Sequence, residues 1–136
     1  TLNTTPVAHQ VEWDGAQMYV NNTAAERLPV ATSKAQINAQ TANYTIALTD
    51  AGYLITASNA GAITVSVPTD ATVNFPVGTQ ILIMQLGAGQ VTMSAVTPGT
   101  TTIISRSGTK TAGQYALISL IKVAANQWVV GGDATT

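Results

Sequence analysis

From Thr41 to Asp133 the chain is a succession of short apolar runs, each cut off by Gly, Pro, Asn or Asp. The strictest is Ile63-Thr64-Val65-Ser66-Val67, which stops at Pro68. A period of two places Ile63, Val65 and Val67 on one face of a strand and Thr64 and Ser66 on the other. Tyr44-Thr45-Ile46-Ala47-Leu48 alternates in the same way and meets a turn at Asp50-Ala51-Gly52. Tyr53 to Ala57 follows and meets the next turn at Asn59-Ala60-Gly61. Gln80 to Leu86 is apolar at positions of both parities, which predicts a strand buried on both faces. Gly87-Ala88-Gly89 reads as a hairpin turn into Val91–Val96. Pro98-Gly99 leads to Thr101–Ile104, Gln114–Val123 is a second long strand, and Asn126 turns the chain into Gln127–Val130.

This makes about eight strands at spacings of about 8–12 residues, the signature of an antiparallel sandwich or barrel. Neither a helical period nor a repeat at a solenoid spacing is visible beyond residue 40. The predicted fold is all-β: an antiparallel β-sandwich over residues 41–136, a jelly roll or related Greek-key barrel, preceded by an extended N-terminal arm over residues 1–40.

Within the arm, Val11-Glu12-Trp13 and Met18-Tyr19-Val20 flank Asp14-Gly15, a hairpin signal. Ala24-Ala25-Glu26-Arg27 reads as a turn or two of helix that Pro29 ends. The opening Thr1-Leu2-Asn3-Thr4-Thr5-Pro6 has no basic n-region and no apolar h-region, so it does not read as a signal peptide. It reads as the native start of a small complete protein whose initiator Met has been removed.

Composition narrows function. Only 8% of the 136 residues are charged, whereas a surface that stays soluble and separate carries roughly 25–35% Lys, Arg, Glu and Asp. Such a chain is expected to be covered by copies of itself or by a larger assembly. Arg27, Lys34, Arg106, Lys110 and Lys122 are scattered, so no basic stripe suits nucleic acid. No apolar run reaches the length of a transmembrane helix.

Catalytic chemistry has few candidates. His9 is the one imidazole, and there is no Cys, which removes disulfides and thiolate metal sites. Glu12 and Asp14 share a strand face but read as a solvated turn edge. Asp50, Asp70 and Asp133 read as turn residues that bond their own backbone. Gly87-Ala88-Gly89-Gln90 lacks the Lys and the following helix of a phosphate loop. No catalytic residue, cofactor or metal site is expected. Trp13, Tyr19, Tyr44, Tyr53, Tyr115 and Trp128 are read as packing anchors, with sugar stacking as the lesser reading.

Several pieces in order resemble a domain recurrent in tailed-bacteriophage virion proteins. They are Tyr44–Gly52, Thr64–Pro68, Phe75-Pro76-Val77-Gly78-Thr79, Gln85–Thr92, Ala112-Gly113-Gln114-Tyr115-Ala116 and Trp128–Asp133. The resemblance implies a structural part of a virion, found as a homotrimer in capsid-decorating proteins and in head or tail fibres. It implies no catalytic residues. The expectation is therefore a capsid decoration (cement) protein on the outer surface of the virion. Its arm would grip the major capsid protein through the large apolar residues Trp13, Tyr19, Leu28 and Val30. The alternative is a head- or tail-fibre module that binds a host receptor or glycan through Tyr115 or Trp128.

Overall fold

The computed structural model describes residues 10–13, 18–21, 27–29 and 35–136. The chain forms two compact units, Thr1–Ala35 and Gln36–Thr136. In the first, β1 (Val11–Trp13), β2 (Met18–Asn21) and β3 (Arg27–Pro29) make an antiparallel sheet in that order. The β1–β2 pair puts Glu12 opposite Tyr19, as the hairpin signal predicts. Arg27 belongs to strand β3, paired with Asn21, and not to a helix. The remainder of the predicted helix, Ala24 to Glu26, lies outside the described residues.

The second unit begins earlier than the predicted boundary, because Ile37–Gln40 is its first strand, β4. The strands then run β5 (Tyr44–Thr45), β6 (Leu54–Ala57), β7 (Ile63–Val67), β8 (Gln80–Gln85), β9 (Val91–Ala95) and β10 (Thr102–Ser105). β11 (Lys110–Thr111), β12 (Leu117–Ala124), β13 (Gln127–Gly132) and β14 (Ala134–Thr135) complete the chain. They form a six-stranded sheet, β10-β13-β12-β8-β6-β4, and a five-stranded sheet, β14-β11-β9-β7-β5.

The all-β expectation holds, but the antiparallel jelly-roll or Greek-key arrangement does not. β4, β6 and β8 are mutually parallel, and so are β5, β7 and β9. Each turn of chain lays one strand in the first sheet and one in the second, then stacks on the turn before, as in a β-solenoid. A parallel neighbour needs a crossover, and here the crossover is the strand of the opposite sheet. The stacking is irregular: seventeen residues separate the paired Ile37 and Leu54, and twenty-eight separate Leu54 from Leu82. Unequal coils leave no fixed period in the sequence. β12 then pairs antiparallel with β8 and with β13, and β10 joins β13 in parallel.

Gly87-Ala88-Gly89 accordingly joins two sheets and closes no hairpin. The loop lies so close to the preceding coil that a Cβ on Gly89 would stand 1.8 Å from the Gly61 carbonyl oxygen. A Cβ on Gly87 would stand 2.2 Å from the Asn59 carbonyl oxygen. Gly89 N–H donates to Asn59 O at 2.9 Å, so the coils are hydrogen-bonded where they touch.

Both sheets turn one face to a shared core. Register aligns Ile55, Ile83 and Ile118 across β6, β8 and β12, and Ile81, Leu120 and Val130 across β8, β12 and β13. Ile63, Val65 and Val67 face them from β7, with Val91 and Met93 from β9, all within one buried cluster. Each such side chain contributes roughly 1.5–3 kcal/mol by leaving water. Phe75, from the loop between β7 and β8, meets Trp128 edge to face with ring centroids 5.3 Å apart.

Candidate functional site

The buried polar side chains of the second unit tie its segments together. Asp50, 1% exposed, accepts hydrogen bonds from Ala47 N and Tyr44 Oη at 2.8 Å each and from Asn38 Nδ2 at 2.7 Å. Its capture of the Ala47 N–H turns Leu48–Asp50 into a single 3-10 turn and cuts short the strand predicted over Tyr44–Leu48. Burial, with the neighbouring Asp50 carboxylate, pushes the Tyr44 hydroxyl above its usual range. Gln85 donates to Gly87 O at 3.0 Å and accepts from the Thr111 hydroxyl, while Val91 N–H donates to that hydroxyl at 2.9 Å.

Lys122, like Asp50, is a buried charged residue. Its ammonium donates to Asp70 Oδ1 at 2.7 Å and to Phe75 O at 2.5 Å. Asp70 Oδ2 accepts from Asn126 N at 2.9 Å, and Asn126 Oδ1 accepts from Asp70 N at 2.7 Å. Asp70 is therefore a long-range bridge and not a residue that caps its own turn. Burial pushes its carboxyl up, but the Lys122 and Asn126 hydrogen bonds and the ammonium charge outweigh that and hold it below the usual carboxylate range. These groups bond to one another across segments far apart in the chain, which makes them structural ties.

Among the described residues no group of three or more His, Cys, Asp or Glu is placed to hold a metal ion. His9 and Asp14 lie outside the described residues. No helix among the described residues is long and apolar enough to cross a membrane.

The predicted capsid-facing residues fall in the first unit. Trp13 pairs with Met18, Leu28 with Val20, and Tyr19 with Glu12 and Pro29. Positions opposite one another share a face and neighbours along a strand alternate. Trp13 and Leu28 thus occupy one face of the three-stranded sheet, together with the positions of Val11, Met18 and Val20. Tyr19, half-buried, occupies the other face with the positions of Glu12 and Arg27. Val30 lies outside the described residues. The register puts the positions of Trp13 and Leu28 on one face and the position of Tyr19 on the other.

Two of the proposed sugar-stacking residues separate sharply. Trp128 is fully buried and cannot meet a glycan. Its Nε1 has no hydrogen-bond partner among the described residues, which fits a packing role. Tyr115 is 70% exposed, and its backbone is held at φ +68°, a left-handed conformation uncommon for an aromatic residue. Its N–H donates to Gln85 O at 2.7 Å, and this bond fixes the loop in that shape.

The outer faces of the two large sheets differ. On the five-stranded sheet the outward positions of β7 and β9 carry Thr64, Ser66, Thr92 and Ser94. On the six-stranded sheet they include Ile37, Leu54, Leu82, Met84, Leu117 and Ile104, with Thr56, Gln80, Ser119, Thr102 and Gln127 among them. Ile37 is 65% exposed, Leu82 38% and Leu117 40%. The strand predicted to be buried on both faces, β8, buries Ile81, Ile83 and Gln85, while Leu82 is exposed and Met84 half-buried. Sequence reading missed these residues as a set because it took the two-faced burial as internal; the signal was the apolar character of Leu82 and Met84 beside the inward Ile81 and Ile83.

No protein-family model matches the chain, and no curated protein matches it.

Proposed function

We propose that this chain is a structural protein of a tailed-bacteriophage virion: a homotrimeric capsid decoration (cement) protein that binds the major capsid protein and stabilises the shell from outside. The observation that carries the reading is the division of the chain into a small sheet with apolar positions gathered on one face and a separate body. In that body the buried Asp50, Gln85 and Lys122 side chains and the half-buried Asp70 bond to other parts of the same body. The body supplies rigidity, and the small sheet supplies grip. Trp13 and Leu28 are the capsid-facing pair, Val30 extends them along the chain, and Tyr19 acts from the opposite face. The reading involves no cofactor, metal, nucleic acid or membrane.

A gripping segment gains where the receiving surface is extensive and preformed, because ordering it costs about 1–2 kcal/mol per residue in conformational entropy. A shell lattice is such a surface. Removal of residues 1–30 is expected to abolish binding to empty shells while the second unit keeps its fold, read by co-sedimentation with shells and by a thermal melt. Saturation of shells by the truncated protein would overturn the assignment of the first unit.

A second reading, a fibre module for a host receptor or glycan, is favoured by one observation: the exposed ring of Tyr115 on its constrained loop. It predicts a glycan-array or host-cell binding signal that Tyr115→Ala removes.

A further inference from the structure

We infer that the outer face of the six-stranded sheet is the surface through which copies of this chain bind one another. The inference rests on the reading of the protein as a self-assembling building block and adds to it a two-fold contact between copies, since like faces packed on one another close as a pair. A sheet with one wetted face alternates apolar inward and polar outward. The five-stranded sheet obeys this rule, with Ser and Thr outward on β7 and β9. The six-stranded sheet of the same molecule departs from it: its outward positions on β8 and β12 carry Leu82, Met84, Leu117, Ile121 and Val123 beside Gln80 and Ser119. A sheet whose outer side is mostly apolar as well is built to be covered there too.

Charge selects the occupant. None of the outward positions of β4, β6, β8, β12, β13 or β10 carries Asp, Glu, Lys or Arg. The one Lys of those strands, Lys122, points inward to Asp70. Burying an unpaired charge costs far more than burying an apolar group, so such a face is matched by another uncharged face. A second copy of this chain presents one of the same size and twist. Area agrees. Six strands about 4.8 Å apart, averaging about five residues at about 3.3 Å each, give a projected face of about 500 Å². Two such faces bury about 1,000 Å², at the threshold of a specific interface. Sheets pack in this way at a spacing of about 10 Å.

The experiment uses the full chain. Its native mass at micromolar concentration is expected to be a multiple of 14.0 kDa. Leu82→Asp should halve it, whereas Thr64→Asp on the five-stranded sheet should leave it unchanged. The chain has no Cys, so one introduced thiol reports alone. Leu117→Cys should react with a maleimide at least tenfold more slowly than Thr45→Cys in the assembled protein, a readout independent of how Leu82→Asp folds. A multimer that ignores Leu82→Asp and labels Leu117→Cys as fast as Thr45→Cys overturns this face and leaves the building-block reading standing. A wild-type chain that is a single subunit also overturns it, and binding to shells then decides the building-block reading by itself.

Discussion

Lys122 Nζ stands 2.7 Å from Asp70 Oδ1, although the two residues are fifty-two positions apart in the chain. The contact joins the loop after β7 to the β12–β13 hairpin, and its second donor bond holds the Phe75 carbonyl beside Trp128. An ammonium with 1% exposure has little recourse to water once its partner is gone. Asp70→Asn is therefore expected to destabilise the protein by about 3 kcal/mol. The double variant Asp70→Asn with Lys122→Met removes both charges and should recover most of that loss. Urea unfolding of the two single variants and the double variant measures the coupling; additive losses would show that the ion pair is not a unit.

The same pair sets a response to acid. The Asp70 carboxyl lies below its usual range in the fold, so the unfolded chain takes up its proton more readily. Its stabilisation is complete above the unfolded value of about 3.9 and is lost as pH falls through the lower folded value. The wild type should lose melting temperature more steeply below about pH 4 than the uncharged double variant does. Parallel Tm–pH curves in that window would remove Asp70 from the account of acid stability.

Close contact between coils gives a third expectation. Gly89→Ala puts a methyl group where the Gly61 backbone already lies, and no flexible side chain is there to yield. A loss of several kcal/mol is expected, at the upper end of single-substitution effects. Gly113→Ala, whose Cβ would meet nothing within 4 Å, is the matched control and should stay within about 0.5 kcal/mol. Thermal melts of the two variants side by side test the stacking directly.

Local pattern revealed the strands and their inward residues, because alternation is a property of each strand alone. Ile63, Val65 and Val67 are all buried, with Thr64 and Ser66 outside, as the period of two requires. Strand pairing is a property of the loops. Alternation reads the same in parallel and antiparallel neighbours, so Gly87-Ala88-Gly89 passed as a hairpin although it crosses between sheets. Lys122 carried a readable signal: it shares the parity of Ile118 and Leu120, so the alternation that buries them also buries it. Its partner Asp70 carried none, since a separation of fifty-two positions hides the contact. In the first unit, the parity of Trp13 and Leu28 depends on how β1, β2 and β3 pair, which residue type alone does not give.

Tyr115 offers the last expectation. A non-glycine residue at φ +68° carries a conformational cost of order 1 kcal/mol. The ring, 70% exposed, recovers little of this through burial. Asn tolerates the left-handed region better than an aromatic residue. Tyr115→Asn is therefore expected to raise the melting temperature by a few degrees, in line with a gain of about 1 kcal/mol or less. A lowered melting temperature would mean that the ring supports the loop and that the backbone strain serves packing. If Tm rises while binding to a host receptor or glycan is lost, the strain has a use. The loop then holds an aromatic ring out to a ligand at the expense of stability, and the fibre-module reading gains the residue it needs.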